Sequence, residues 1–107
     1  MRVGNGEIIK ELRKLVADRN WSQFHTPENL AKSISIEAAE LLECYQWGEG
    51  DEAEIRAELA DVITYCYLLA DKLNVDVDEI VLEKLEQTKA KYPVDKSFGK
   101  STKYDQL

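Results

Sequence analysis

With 107 residues and 12.3 kDa, the chain has room for one compact domain and no independent second one, and its 44% hydrophobic content suffices for a core. Asp and Glu number 21 against 14 Lys and Arg, and the formal net charge of -7 sets up a field that disfavours nucleic-acid polymers and anionic membranes. Cys44 and Cys66 form neither a disulfide framework nor a zinc knuckle, the opening stretch from Met1 to Gly6 has no apolar signal core, and no apolar run reaches membrane-spanning length, so a reduced, cytoplasmic protein is expected.

Ile8, Leu12, Leu15 and Val16 recur at helical spacing and predict a first helix over about residues 7 to 19. The pattern breaks from Trp21 to His25. Thr26-Pro27 then reads as a helix start, a capping hydroxyl followed by the residue best tolerated at the first helical position. Leu30, Ile34, Ala38, Leu41 and Tyr45 line one face of this second helix, which Gly48 and Gly50 are expected to close after about six turns. Asp51 with Glu54 resembles a capping box for a third helix carrying Ile55, Leu59, Val62, Cys66, Leu69 and Leu73. Asn74 ends it, Asp76 with Glu79 starts a fourth helix through Val77, Val81, Leu85 and Thr88, and Pro93 stops that one. Residues 94–107 lack periodicity and read as an irregular, locally basic arm with Lys96, Lys100 and Lys103. No strand pattern competes, so the fold class is all-α, a four-helix bundle in a single domain.

The chemical signal is Glu37-Ala38-Ala39-Glu40 on the second helix and Glu58-Leu59-Ala60-Asp61 on the third. Residues three apart are neighbours on a helix surface, so each pair aims its oxygens at one spot. Glu37 falls about 20° from Leu30, inside the apolar sector, and Tyr65 falls between Glu58 and Asp61 in angle. The short Gly48–Asp51 connection predicts antiparallel packing that brings both pairs to one groove. Like charges about 4 Å apart repel by roughly 4 kcal/mol at an effective dielectric near 20, so the cluster calls for a cation. All-oxygen donors select Mg²⁺, with Mn²⁺ as the alternative, over zinc or copper. A di-iron bundle would need Glu-x-x-His pairs, and His25 is the sole histidine.

These stretches, with Arg19 through His25, Glu37 through Trp47, Glu58 through Tyr65, Lys91-Tyr92-Pro93-Val94 and Lys103-Tyr104, resemble the MazG-like family of all-α nucleotide pyrophosphohydrolases, especially its small members similar to dCTP pyrophosphatases. The resemblance runs from about Ile8 to Leu107. It implies that Glu37, Glu40, Glu58 and Asp61 hold Mg²⁺, that Trp21 and Trp47 help enclose the base, and that Tyr65 contacts the nucleotide. It also implies assembly as a homodimer or homotetramer. Flat indoles suit this role, since base stacking contributes about 1 to 3 kcal/mol. Phe24 and His25 are candidates for shaping the same pocket. Lys84, about 20° from Val77 on the inner stripe, is expected to meet a phosphate or a carboxylate. Thr88 replaces an Asn common in the family, and Leu12 stands where vertebrate dCTP-cleaving relatives have His, so the preferred base stays open.

The expected reaction is Mg²⁺-dependent cleavage of a nucleoside triphosphate to the monophosphate and pyrophosphate, in the service of nucleotide-pool cleansing. Glu37, Glu40, Glu58 and Asp61 are its candidate catalytic groups, with Glu40 as candidate base. Two alternatives stand beside it: another all-α pyrophosphohydrolase, dUTPase-like or phosphoribosyl-ATP-cleaving, and a non-catalytic helical interaction module. Gly99-Lys100-Ser101-Thr102 mimics the end of a phosphate-binding loop, but Val94 occupies the required glycine position and no strand precedes it.

Overall fold

The structure, a computed structural model, describes residues 5–107, with the backbone alone at residue 5; residues 1–4, part of the stretch read above as lacking a signal core, lie outside it. Helices α1 (Asn5–Asp18), α2 (Pro27–Glu43), α3 (Glu52–Lys72), α4 (Val77–Lys91) and the short α5 (Val94–Ser97) account for its regular structure, with 3-10 turns at Ser22–Phe24 and Tyr104–Gln106. Among the described residues there is no strand, as the periodicity predicts, and no helix is long and apolar enough to cross a membrane. The helices fall into two compact units, one reaching Val75 and the other spanning Asp76–Leu107.

In the first unit the predicted punctuation is in place. Asn29 N–H donates to Thr26 Oγ1 at 3.1 Å, Pro27 takes the first helical position, and Glu54 N–H donates to Asp51 at 3.1 Å. Such caps contribute about 1 kcal/mol each. Helices α1 and α3 both end on a left-handed asparagine, Asn20 at φ 52° and Asn74 at φ 56°. Beyond each, an N–H reaches five residues back, Trp21 to the Val16 carbonyl and Val75 to the Ala70 carbonyl, satisfying acceptors that a straight helix end would leave open.

Helix α2 stops earlier than the six turns expected. After Glu43 the N–H groups of Cys44, Tyr45 and Gln46 bond three residues back, to Leu41, Leu42 and Glu43, which tightens the chain and carries Tyr45 and Trp47 off the stripe. Gly50 then makes the reversal at φ 80°, where a Cβ would collide with the Cys44 carbonyl. The turn packs α2 along α3, while α1 meets α3 more lightly. Leu30 at 1% exposure and Ala70 at 5% are the buried hydrophobic residues of the described chain. Full burial of a leucine contributes about 1.5 to 3 kcal/mol, so this core is modest for its size. Polar ties supplement it: Arg13 Nε donates to both Asp71 oxygens at 3.0 and 3.1 Å, and Lys72 Nζ donates to Ser22 Oγ at 3.0 Å.

In the second unit Asp76 caps α4 by accepting from Glu79 N–H at 2.9 Å. The helix keeps a regular apolar stripe yet has no buried residue; Val81 is 58% and Leu82 61% exposed. The arm beyond it is irregular apart from α5 and the last 3-10 turn. It folds back through Tyr92 and Tyr104, whose rings meet edge to face at 6.1 Å, with Tyr104 N–H donating to Tyr92 Oη at 3.2 Å and Lys91 Nζ 4.7 Å from the Tyr104 ring.

Candidate active site

The pairing of α2 with α3 brings together the acids that the spacing singled out. One oxygen from each of Glu37, Glu40 and Glu58 lies within 4.8 Å of the others. Asp61 is outside that tight set, but its charge acts on both Glu37 and Glu58. Glu37 and Glu58 are half-buried, and the Oε2 atom of each is buried without a hydrogen-bond partner. A buried acceptor left unbonded costs about 1 to 3 kcal/mol, so both carboxylates favour a proton or a cation.

The electrostatics agree. Glu37 is pushed up to about 7, chiefly because it shares a hydrogen bond with Glu40, then by burial and by repulsion from Glu40, Asp61 and Glu58. Glu58 is also raised, first by burial and then by its hydrogen bond with Glu40 and the charges of Glu40 and Asp61. Protons therefore bridge oxygens that would otherwise repel. A hard divalent cation does the same work, and oxygen donors in this number suit Mg²⁺ or Mn²⁺. The nearest thiol does not compete. Cys44 Sγ donates to the Glu40 carbonyl at 3.6 Å, and burial together with Glu54 and Glu58 raises its pKa, keeping it a neutral thiol rather than a soft metal ligand.

The other sequence candidates are more dispersed. Tyr65 is half-buried on α3, four residues beyond Asp61 and so on the same side of the helix. Trp21 is 42% exposed at the start of the 3-10 turn, with the Arg19 guanidinium 5.7 Å from its ring. Trp47 is 91% exposed in the turn after α2. Phe24 is exposed at 60%, so the structure does not use it as core. His25 is half-buried against a separate cavity of about 210 Å³ to which none of the four acids contributes.

Among the described residues Lys84 has no carboxylate within salt-bridge range. The side chain is exposed on α4 and donates to Gln87 Oε1 at 3.3 Å, an amide rather than a carboxylate. The stripe it shares with Val81 is open, so its ammonium keeps its water and pays no desolvation cost. Sequence reasoning also missed Arg13, Ser22, Asp71 and Lys72 as a group. Their partners lie 50 and 58 positions apart, and nothing in local periodicity signals such a meeting.

The sequence profile of the MazG-like family matches residues 32–107. Mouse (Mus musculus) dCTP pyrophosphatase 1 is 33% identical over 114 residues, an alignment covering 92% of this chain and 67% of that protein, and the human (Homo sapiens) protein of the same name is 32% identical with the same coverage. A solved pyrophosphatase from Archaeoglobus fulgidus superposes with a TM-score of 0.80 at 37% identity, covering 87% of this chain and 95% of that one. Matched by that profile over well more than half of its length, and related to these proteins across nearly all of it, the chain belongs to the MazG-like family.

Proposed function

We propose that the protein is a nucleotide pyrophosphohydrolase that cleaves a (deoxy)nucleoside triphosphate such as dCTP into the monophosphate and pyrophosphate. The observation that carries this reading is the convergence of Glu37, Glu40 and Glu58 on one point with two buried oxygens unbonded. The dCTP pyrophosphatases at about one-third identity and the archaeal pyrophosphatase support the same reaction class.

Glu37, Glu40, Glu58 and Asp61 would hold Mg²⁺, with Mn²⁺ as a substitute. Bound there, the cation supplies positive charge for the phosphate oxygens that a chain of net charge -7 would otherwise repel. The remaining chemistry falls to the side chains. Water attacks the α-phosphorus, the bond to the bridging oxygen breaks, pyrophosphate leaves, and a carboxylate takes the water proton. Glu40, which acts on the ionisation of both Glu37 and Glu58, is the candidate for that step. Trp21 and Trp47 offer exposed indole faces for the base, Tyr65 lies on the same side of α3 as Asp61, and Lys84 offers an ammonium that among the described residues has no carboxylate in salt-bridge range.

Apolar side chains left exposed on α2, α3 and α4, Leu42 at 72%, Leu59 at 46% and Leu82 at 61% among them, support a homodimer or homotetramer. The test is pyrophosphate release across a panel containing dCTP, dUTP and phosphoribosyl-ATP, with Mg²⁺ and with EDTA. Release from dCTP that EDTA abolishes supports the proposal. Preference for another member reassigns the substrate, and no release from any of them rejects the enzyme.

A further inference from the structure

None of the four acids lines the cavity beside His25. Its apolar lining comes from Val16 and Ala17 of α1 and Leu68 of α3. Its polar lining comes from Arg13, Ser22, His25, Asp71 and Lys72. Such a pairing of apolar lining and few polar groups is the usual make-up of a small-molecule site. At about 210 Å³ it exceeds the roughly 150 Å³ that accommodates benzene in an engineered protein cavity.

The charges of the lining do not cancel. Arg13 is forked onto Asp71, so that pair is neutral. Lys72 is held by the neutral Ser22 hydroxyl at 3.0 Å, and among the described residues it has no carboxylate in salt-bridge range. One positive charge is thus left in the lining of this partly apolar cavity, in a protein of net charge -7. Asp71 follows Asp61 by ten residues on the same helix, about 15 Å along its axis.

We propose that this cavity is a second binding site, for a small molecule with a single six-membered ring or similar apolar body and one anionic head, a carboxylate or a phosphate monoester, that pairs with Lys72. The ring sits on Val16, Ala17 and Leu68, and the head group takes a charge-assisted hydrogen bond from the ammonium that Ser22 now holds. The proposal stands independently of the pyrophosphohydrolase reading, since none of the four acids lines the cavity.

The single histidine of the chain makes a direct test, because the His25 ring gives the only imidazole signals in an NMR spectrum. Benzoate and phenyl phosphate are titrated into the intact protein, with benzylammonium as the cationic control. Saturable shifts of the His25 signals with either anion and none with benzylammonium are the expected result, and the tighter of the two anions identifies the head group. Lys72→Met should weaken binding about tenfold, and Lys72→Arg should restore it while both variants keep wild-type pyrophosphate release. Unmoved His25 signals, equal response to the cation, or undiminished binding in Lys72→Met overturns the proposal. The turnover assay reads the other site, so failure of one leaves the other standing.

Discussion

Helices α2 and α3 on one side and α4 on the other carry apolar stripes of similar regularity, yet they meet different fates. Between α2 and α3 the stripe is used: Leu30 and Ala70 are sealed, and Glu37 and Glu58 lose part of their water with it. On α4 the stripe stays open, no residue is buried, and Lys84 satisfies itself with a neighbouring amide. Packing is therefore what turns an acid on an apolar face into a strained, cation-seeking group. Without packing, a charged residue at the same kind of position stays an ordinary solvated side chain.

The sharpest way to break that contrast is to change the packed acids. Glu37→Gln and Asp61→Asn should each lower pyrophosphate release by at least about a hundredfold, since even groups that only support metal ligands are worth 10 to 100-fold. Circular dichroism should show the helices intact. Turnover surviving in both variants would mean the trapped acids are a structural accident. Next in size, Gly50→Ala forces a Cβ against the Cys44 carbonyl at a positive φ and should cost about 1 to 3 kcal/mol, read as a lower urea midpoint. On the open side, Val81→Asp should leave the helical content of a single chain unchanged but lower the mass seen by light scattering, if a second copy covers α4. An unchanged mass would assign association to the exposed faces of α2 and α3.

A smaller effect follows from protonation. Glu37 in the folded chain is pushed up to about 7 from an ordinary 4.5, so folding holds its proton more tightly than the unfolded chain does. That contribution is complete below about 4.5 and is lost as pH rises through about 7. The metal-free melting temperature should fall across this window, and Glu37→Gln should flatten the slope. Added Mg²⁺ should raise the melting temperature more at pH 8 than at pH 5, where protons compete for the same oxygens. Smallest of all, Tyr92→Phe removes the acceptor of the Tyr104 N–H and should cost about 1 kcal/mol, seen as faster hydrogen exchange at Tyr104.

Much of the packed region is legible in the amino-acid order because its causes are local. Thr26, Asp51 and Asp76 cap the helices that their spacing announced, and the three-residue interval within each acid pair is a property of the helix itself. The end of α2 was less legible. Gly48 and Gly50 mark the loop correctly, but the three-residue hydrogen bonds after Leu41 that shorten the helix arise from how the chain turns onto α3. The two asparagine helix ends show the same limit, since Asn74 was readable as a stop and Asn20 was not singled out at all. The cavity at His25 is least visible. Its walls come from α1, the 3-10 turn and α3, and only the folded chain sets Arg13 against Asp71.

At Gly50 a carbonyl rests where any other residue would place a methyl carbon. The joint between α2 and α3 consequently has no slack, and Glu37 and Glu58 stand about two turns from it, one on each arm. An inserted residue here would swing the arms apart and silence the enzyme with every acid still present.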